Sequence, residues 1–413
     1  MSISLLTILL FALVSPLIID FTIFHDKQSN IYYGVVFGLL LLMAVFDIYK
    51  DKFKWITNVR TFTVFAIIAL TIGIGCVVYV FDRHKISSAY RTHDIIIQQE
   101  IAVRMLLTGK NPYKETYFGT ALEEFKYYDN QTNPALYHFV MEPFYLVSVV
   151  PFYAAQSKTV GFFDARIPLY LLFGILLIGG FMFIKDKEEK LLFITLMTFN
   201  PMTVRFLLEG RSDMFMLPFL FGGFIFLYKK RYSFAIILIA LAFAIKQTAW
   251  PLFPLLFYFL WLQTKDIKQV GKYLLIFVIT FGIFVLPFLL WNPKAFLDST
   301  VFFVSGNSAN SVPISGYGFS VLLMNMGVIK DSHERYPFIV WQIIFAIPVL
   351  LILARRLREN TTVKFLIIAY TIFLAVFWHF SRYFNDSHIG FISSLLIIAY
   401  FFPAEKMKLK KSR

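Results

Sequence analysis

Six stretches of the chain, residues 31–49, 61–81, 167–184, 273–291, 338–354 and 364–379, are almost wholly apolar. Each is close to the roughly 20 residues that an α-helix needs to cross a bilayer core about 30 Å thick. Their apolar runs are continuous instead of alternating, which excludes transmembrane β-strands, whose lumen-facing positions are polar. With 58% hydrophobic and only 15% charged residues among 413, the chain does not divide into soluble domains. The expected fold is all-α: a polytopic transmembrane helical bundle with external juxtamembrane helices. It forms one integral membrane domain over residues 1–413, with about 11 to 14 helices on span length. The apolar N-terminus carries no basic residue before Asp20 and no clear small-residue cleavage site. It therefore reads as a retained helix near residues 5–24 rather than a signal peptide.

The net charge of +14 would suit a polyanion if it were gathered on one surface, but it is dispersed. Lys50, Lys52, Lys54 and Arg60 fall in one short loop, Lys229, Lys230 and Arg231 in another, and Lys265, Lys268 and Lys272 in a third. Arg355, Arg356 and Arg358 make a fourth, and Lys406, Lys408, Lys410, Lys411 and Arg413 the tail. Loops of balanced charge alternate with these, which is the positive-inside pattern of a multi-pass protein of the cell (plasma) membrane; the lipid bilayer is a partner and nucleic acid is not. On that pattern residues 82–134 are external, with Arg83, Lys85, Arg91, Arg104, Lys110, Lys114 and Lys126 offset by Asp82, Asp94, Glu100, Glu115, Glu123, Glu124 and Asp129. Residues 292–336 make a second external loop. The alternation fails at one place: if 136–153 and 167–184 both span, the near-neutral "KDKEEK" loop is external and the basic "KKR" loop is hard to keep inside. One of the two is thus expected to be interfacial or partial. Residues 232–262 begin and end in basic loops and are interrupted by "KQTAWP", so they read as a hairpin of two short helices. Cys76 is the single cysteine, so no disulfide framework exists.

The stretch "THDIIIQQEIAVRMLLTGKNPY", Thr92 to Tyr113, has helix punctuation at both ends, with Thr92 as a possible cap and Gly109 followed by Asn111-Pro112 as the stop. Asp94 lies in the first turn, where the helix dipole favours the charged form. Gln98 falls near the Asp94 face at about 100° per residue, while Glu100 and Arg104 are spaced to pair with each other. Asp94 is then the carboxylate free to meet a substrate, unless it only caps a juxtamembrane helix.

Cations that can bind an anionic group occur near helix ends. "RFLLEGRSD" offers Arg205, Glu209, Arg211 and Asp213, and also reads as a self-neutralising loop. "HFSRYFNDSH" offers His379 and Arg382, where Arg382 is a phosphate ligand or a snorkelling side chain. Lys246 interrupts an apolar hairpin, and an intramembrane cation marks a functional site or a buried ion pair. The aromatic residues of the first external loop, Tyr113 among them, read as interfacial anchors or as surfaces for a sugar ring. His93 and Asp94 are adjacent and point apart if both are helical, so no metal site is assigned, although a divalent cation stays open. "ISGYGFS", Ile314 to Ser320, is an external loop or an acceptor gate.

Taken in order, "LLTGKNPY", "NPMTVRFLLEGRSD", "IALAFAIKQTAWPLFPLL" and "WNP" with "ISGYGFS" resemble the polytopic glycosyltransferases of superfamily C. The likeness is to the mannosyltransferase-like branch that uses polyprenyl-phosphate sugars, and it runs from about Arg91 to Asp386. The resemblance implies an inverting transferase in which the Asp of the first large external loop, here Asp94, is the base or the group that orients the acceptor. It implies a polyprenyl-phosphate-linked hexose as donor, mannose on the likeness to that branch, and a glycan or lipid acceptor with a free hydroxyl. That chemistry needs a positioned carboxylate and cations beside the departing phosphate. It needs no soluble nucleotide site, and no P-loop or dinucleotide fingerprint is found. The alternative is a multi-spanning lipid or solute transporter or flippase, which would require ionisable groups near the midplane of several helices.

Overall fold

In the computed structural model the chain is described over residues 3–20, 29–50, 52–127 and 131–404. The basic tail from Lys406, together with Tyr128, Asp129 and residues 21–24 of the expected first helix, lies outside these residues. Among the described residues five helices are long and apolar enough to cross a membrane: Asn30–Tyr49, Ile56–Ile86, Arg166–Phe183, Ile267–Trp291 and Phe338–Glu359. Shorter apolar helices, Leu5–Ile18, Asp213–Tyr228, Tyr232–Phe243, Leu252–Thr264, Val363–His379 and Asp386–Phe401, pack among them. Their starts follow local chemistry. The Asp266 side chain accepts from the Lys268 amide at 2.8 Å, and the Thr362 hydroxyl accepts from the Phe365 amide at 3.2 Å. Lipid tails are as apolar as leucine, so packing between helices relies on small residues that let backbones approach. A Cβ on Gly180 would lie 2.0 Å from the Phe193 ring, and one on Gly223 would lie 2.6 Å from Ile239.

Side-chain contacts sort the connections between helices into two ends. At one end the buried Arg60 guanidinium pairs with Asp47 at 3.0 Å and with Glu188, and also donates to Ser4, tying together the loops at residues 4, 50–60 and 184–188. At the same end Phe183, Tyr228 and Phe402 meet ring to ring, and Gln263 donates to the Thr361 carbonyl at 2.9 Å. The described basic loops all gather there. The opposite end collects residues 87–127, 131–165, 200–213, 292–337 and 380–386.

The segment in doubt, 136–153, forms no helix long enough to cross a membrane. It breaks into the turn Pro134–Leu136 and the short helices Pro143–Val147 and Val150–Thr159. Of the two segments only Arg166–Phe183 forms a helix long and apolar enough to cross, and "KDKEEK" lies at the end of the basic loops. The hairpin between Tyr232 and Thr264 is present, with its turn at Gln247–Ala249. Irregular backbone inside a bundle must be covered by protein. Residues 142–144 supply that cover, as the Glu142 amide donates to the Ile245 carbonyl at 3.1 Å and the Phe144 amide to Ala244 at 2.8 Å.

The "ISGYGFS" loop is pinned. Ser315–Gly316 forms a two-residue parallel pair with Tyr383–Phe384. Gly316 adopts φ +98°, and a Cβ there would lie 2.0 Å from the Phe384 carbonyl oxygen, so glycine is required on both counts.

Candidate active site

The helix expected after Thr92 runs from Asp94 to Leu107 and is closed by Gly109 at φ +76°. The residue flanking its start is His93, in extended backbone with φ −88° and ψ 148°. The Thr92 hydroxyl instead reaches the Glu209 carbonyl at 3.4 Å, and the His93 amide donates to the same oxygen at 2.9 Å. These bonds fasten the start of the helix to the turn at Gly210, which adopts φ +91° and packs so closely that a Cβ would lie 2.4 Å from Ile96.

Asp94 is not a lone carboxylate. Its Oδ1 lies 2.6 Å from His93 Nδ1, and its Oδ2 accepts from Asn133 Nδ2 at 3.0 Å. A ring nitrogen that close to a carboxylate carries a hydrogen, so we read the longer 3.3 Å approach of the Ile95 amide to Nδ1 as secondary. Adjacent side chains meet here because His93 precedes the helix and is not governed by the angle between successive helical residues. Burial pushes the Asp94 carboxyl up, but the charge and hydrogen bond of His93, the Asn133 amide and the Arg211 charge outweigh it and hold it at about 2. The side chain keeps 13% of its surface exposed.

Glu100 does not pair with Arg104, which is exposed. Arg83, at the end of the Ile56–Ile86 helix, takes Glu100 in a two-pronged grip at 2.7 and 2.8 Å and reaches Asp164 at 3.2 Å. Arg166 binds Asp164 at 2.7 and 2.9 Å and donates to the carbonyls of Arg91 at 2.9 Å and Tyr79 at 3.0 Å. Two buried arginines and two buried carboxylates thus fix the backbone just before Asp94. Gln98 is likewise structural, donating to the Ala135 and His138 carbonyls at 2.5 and 2.8 Å.

The expected phosphate ligands separate into two groups. Arg211 belongs with Asp94: its charge acts on the carboxylate, its guanidinium stacks 4.8 Å from the Phe206 ring centroid, and its Nε is buried with no hydrogen-bond partner among the described residues. Lys246 and Asp213 belong with each other, at 2.8 Å, with the second Asp213 oxygen unpartnered among the described residues. The charges of Lys246 and Arg211 both act on the buried His388.

Arg382 turns its guanidinium to backbone carbonyls. It is 2% exposed, and its three nitrogens donate to the carbonyls of Val312 at 2.5 Å, Glu334 at 2.8 Å and Ser332 at 3.0 Å, so its hydrogens hold the second loop. Arg205 is exposed and pairs with Glu209 at 2.7 Å. Tyr113 is neither anchor nor sugar platform, being buried among Phe139, Phe288 and Phe296 with its hydroxyl donating to the Met141 carbonyl at 2.8 Å. His379 is exposed against Phe380 and Phe384. Among the described residues no three His, Cys, Asp or Glu side chains gather as a metal set.

Two members of the site were not found from the sequence. Asn133 stands 39 residues from Asp94, and no spacing rule links them. His93 was weighed only as a metal ligand. Asn133 also lines a cleft of about 330 Å³ with Phe118, Phe125, Tyr127, Gln131 and Thr132, a mixture of aromatic faces and amide or hydroxyl groups.

A family model described as glycosyltransferase family 87 matches residues 113–378. No curated protein and no solved structure matches the chain. Asp94, His93 and Arg382 lie outside the matched residues, so their roles rest on geometry.

Proposed function

Since the chain belongs to glycosyltransferase family 87, we propose that it takes a hexose, mannose on the likeness in its motifs, from a polyprenyl-phosphate donor and delivers it with inversion to an acceptor hydroxyl. The end that carries Asp94 faces outward, because the described basic loops occupy the other end and the positive-inside rule keeps them cytoplasmic. The observation that carries the reading is an ionised, partly exposed Asp94 within electrostatic reach of Arg211, whose Nε has no hydrogen-bond partner among the described residues. The acceptor hydroxyl is oriented on the Asp94 side. The phosphate leaves toward Arg211, whose planar fork matches two phosphate oxygens, and next toward Lys246 once the donor competes with Asp213 for it. Negative charge building on the phosphate is thereby met by cations already in place.

Purified protein incubated with a panel of polyprenyl-phosphate hexoses and glycolipid acceptors should consume one donor. Asp94→Asn should reduce transfer by at least about 100-fold while leaving the thermal unfolding midpoint within a few degrees. Undiminished turnover in that variant removes Asp94 from the mechanism.

A further inference from the structure

Both oxygens of Asp94 are engaged, one by His93 and the other by Asn133. A carboxylate with both oxygens so bonded steadies a neighbouring positive charge well and is poorly placed to take a further proton itself, and proton transfer favours an acceptor that titrates near the working pH. Imidazole is the side chain that titrates in that range. His93 turns Nδ1 to the carboxylate and is 22% exposed, and no hydrogen bond is recorded for its Nε2 among the described residues. The Phe125 ring, which lines the cleft beside Asn133, lies 6.0 Å from the imidazole.

We propose that His93 is a catalytic residue whose Nε2 takes the proton of the acceptor hydroxyl, while Asp94 holds the ring in the productive tautomer and balances the imidazolium that forms. The inference rests on the transferase reading above. As the acceptor oxygen bonds to C1 of the hexose, the bond from C1 to the phosphate oxygen breaks and its electron pair leaves on polyprenyl phosphate. The hydroxyl proton moves to Nε2 and passes to water after the product departs. The ionisable groups on the elements that touch His93 are Asp94 beside it in the chain, Arg211 and the Arg205–Glu209 pair on the segment that holds its amide, and Glu123, Glu124 and Lys126 on the loop that carries Phe125. The adjacency of His93 and Asp94 alone would not support this; the 2.6 Å contact made possible by the extended backbone at His93 does.

The test is the pH dependence of kcat/KM for wild type, His93→Gln and His93→Ala with a polyprenyl-phosphate hexose and a glycolipid acceptor. Wild-type activity should fall on the acid side. His93→Gln should lose about 100-fold or more and show no such fall. Imidazole added to His93→Ala should restore part of the turnover, which it would not do for a purely structural defect. A His93→Gln enzyme with wild-type kcat and the same acid fall overturns the assignment while the transferase reading stands. Wild-type protein that transfers no hexose from any donor overturns both.

Discussion

Glu142 sets a pH limit on the structure. It is buried beneath the turn that carries Lys246, and burial pushes its carboxyl up to about 8 against the opposing hydrogen bond from Gln247. An unfolded glutamate titrates near 4.3, so between about 4.3 and 8 the native state holds a proton that the unfolded chain releases. Stability from this group is therefore highest at acid pH and falls as pH rises, by at most about 5 kcal/mol once pH exceeds 8. Thermal unfolding of the wild type in detergent should lose midpoint between pH 5 and pH 9. Glu142→Gln, which keeps the shape and the hydrogen bond from Gln247, should flatten that loss. At this scale the sequence was informative about Asp94, whose place in a first turn at the edge of an apolar segment is a local property. It was silent on Asn133 and Glu142, whose partners are distant in the chain. The rule that adjacent helical side chains diverge misled on His93 only because the helix begins one residue later than Thr92 suggested.

Among the elements, the second loop shows how an arginine can look like a ligand and act as a clamp. Arg382 is followed at once by the short strand that pairs with Ser315–Gly316, and its guanidinium gathers three carbonyls from residues 312–334. Hydrogen bonds to charged groups contribute about 1.5–3 kcal/mol each, so losing the three frees the loop more than it unfolds the bundle. Arg382→Gln should speed hydrogen exchange and proteolysis across residues 312–334, with little change in the long helices. The helix at Asp94 and the hairpin at Lys246 were both legible, because caps, glycine and proline act on nearest neighbours. The partial character of 136–159 was legible only as a conflict in loop charge; its fracture into short helices depends on the cover it provides for the hairpin turn.

Across the whole molecule, charge is arranged twice over. The loops divide into basic ones at one end and charge-balanced ones at the other, which the sequence displays openly, and a set of four buried charges ties the Ile56–Ile86 helix, the Asp94–Leu107 helix and the start of the Arg166–Phe183 helix together. The second arrangement could not be read in advance, since spacing favoured Glu100 with Arg104. Removing one partner of a buried pair leaves an uncompensated charge and costs about 3–5 kcal/mol. Glu100→Gln should lower the unfolding midpoint markedly and reduce transfer, because Arg166 also holds the Arg91 carbonyl that leads into Asp94. Replacing Arg83 by Met in the same chain should recover part of the midpoint, measured by thermal unfolding.

That set of charges also bears on how the protein is made. Glu100 is synthesised 17 residues after Arg83, whereas Asp164 follows Arg83 by 81 residues. A nascent chain therefore has a counter-ion for Arg83 almost as soon as its third helix leaves the ribosome, and Arg166 arrives together with its own. Each arginine can enter the bilayer already neutralised, so assembly does not require a bare cation to wait in lipid for a helix not yet translated.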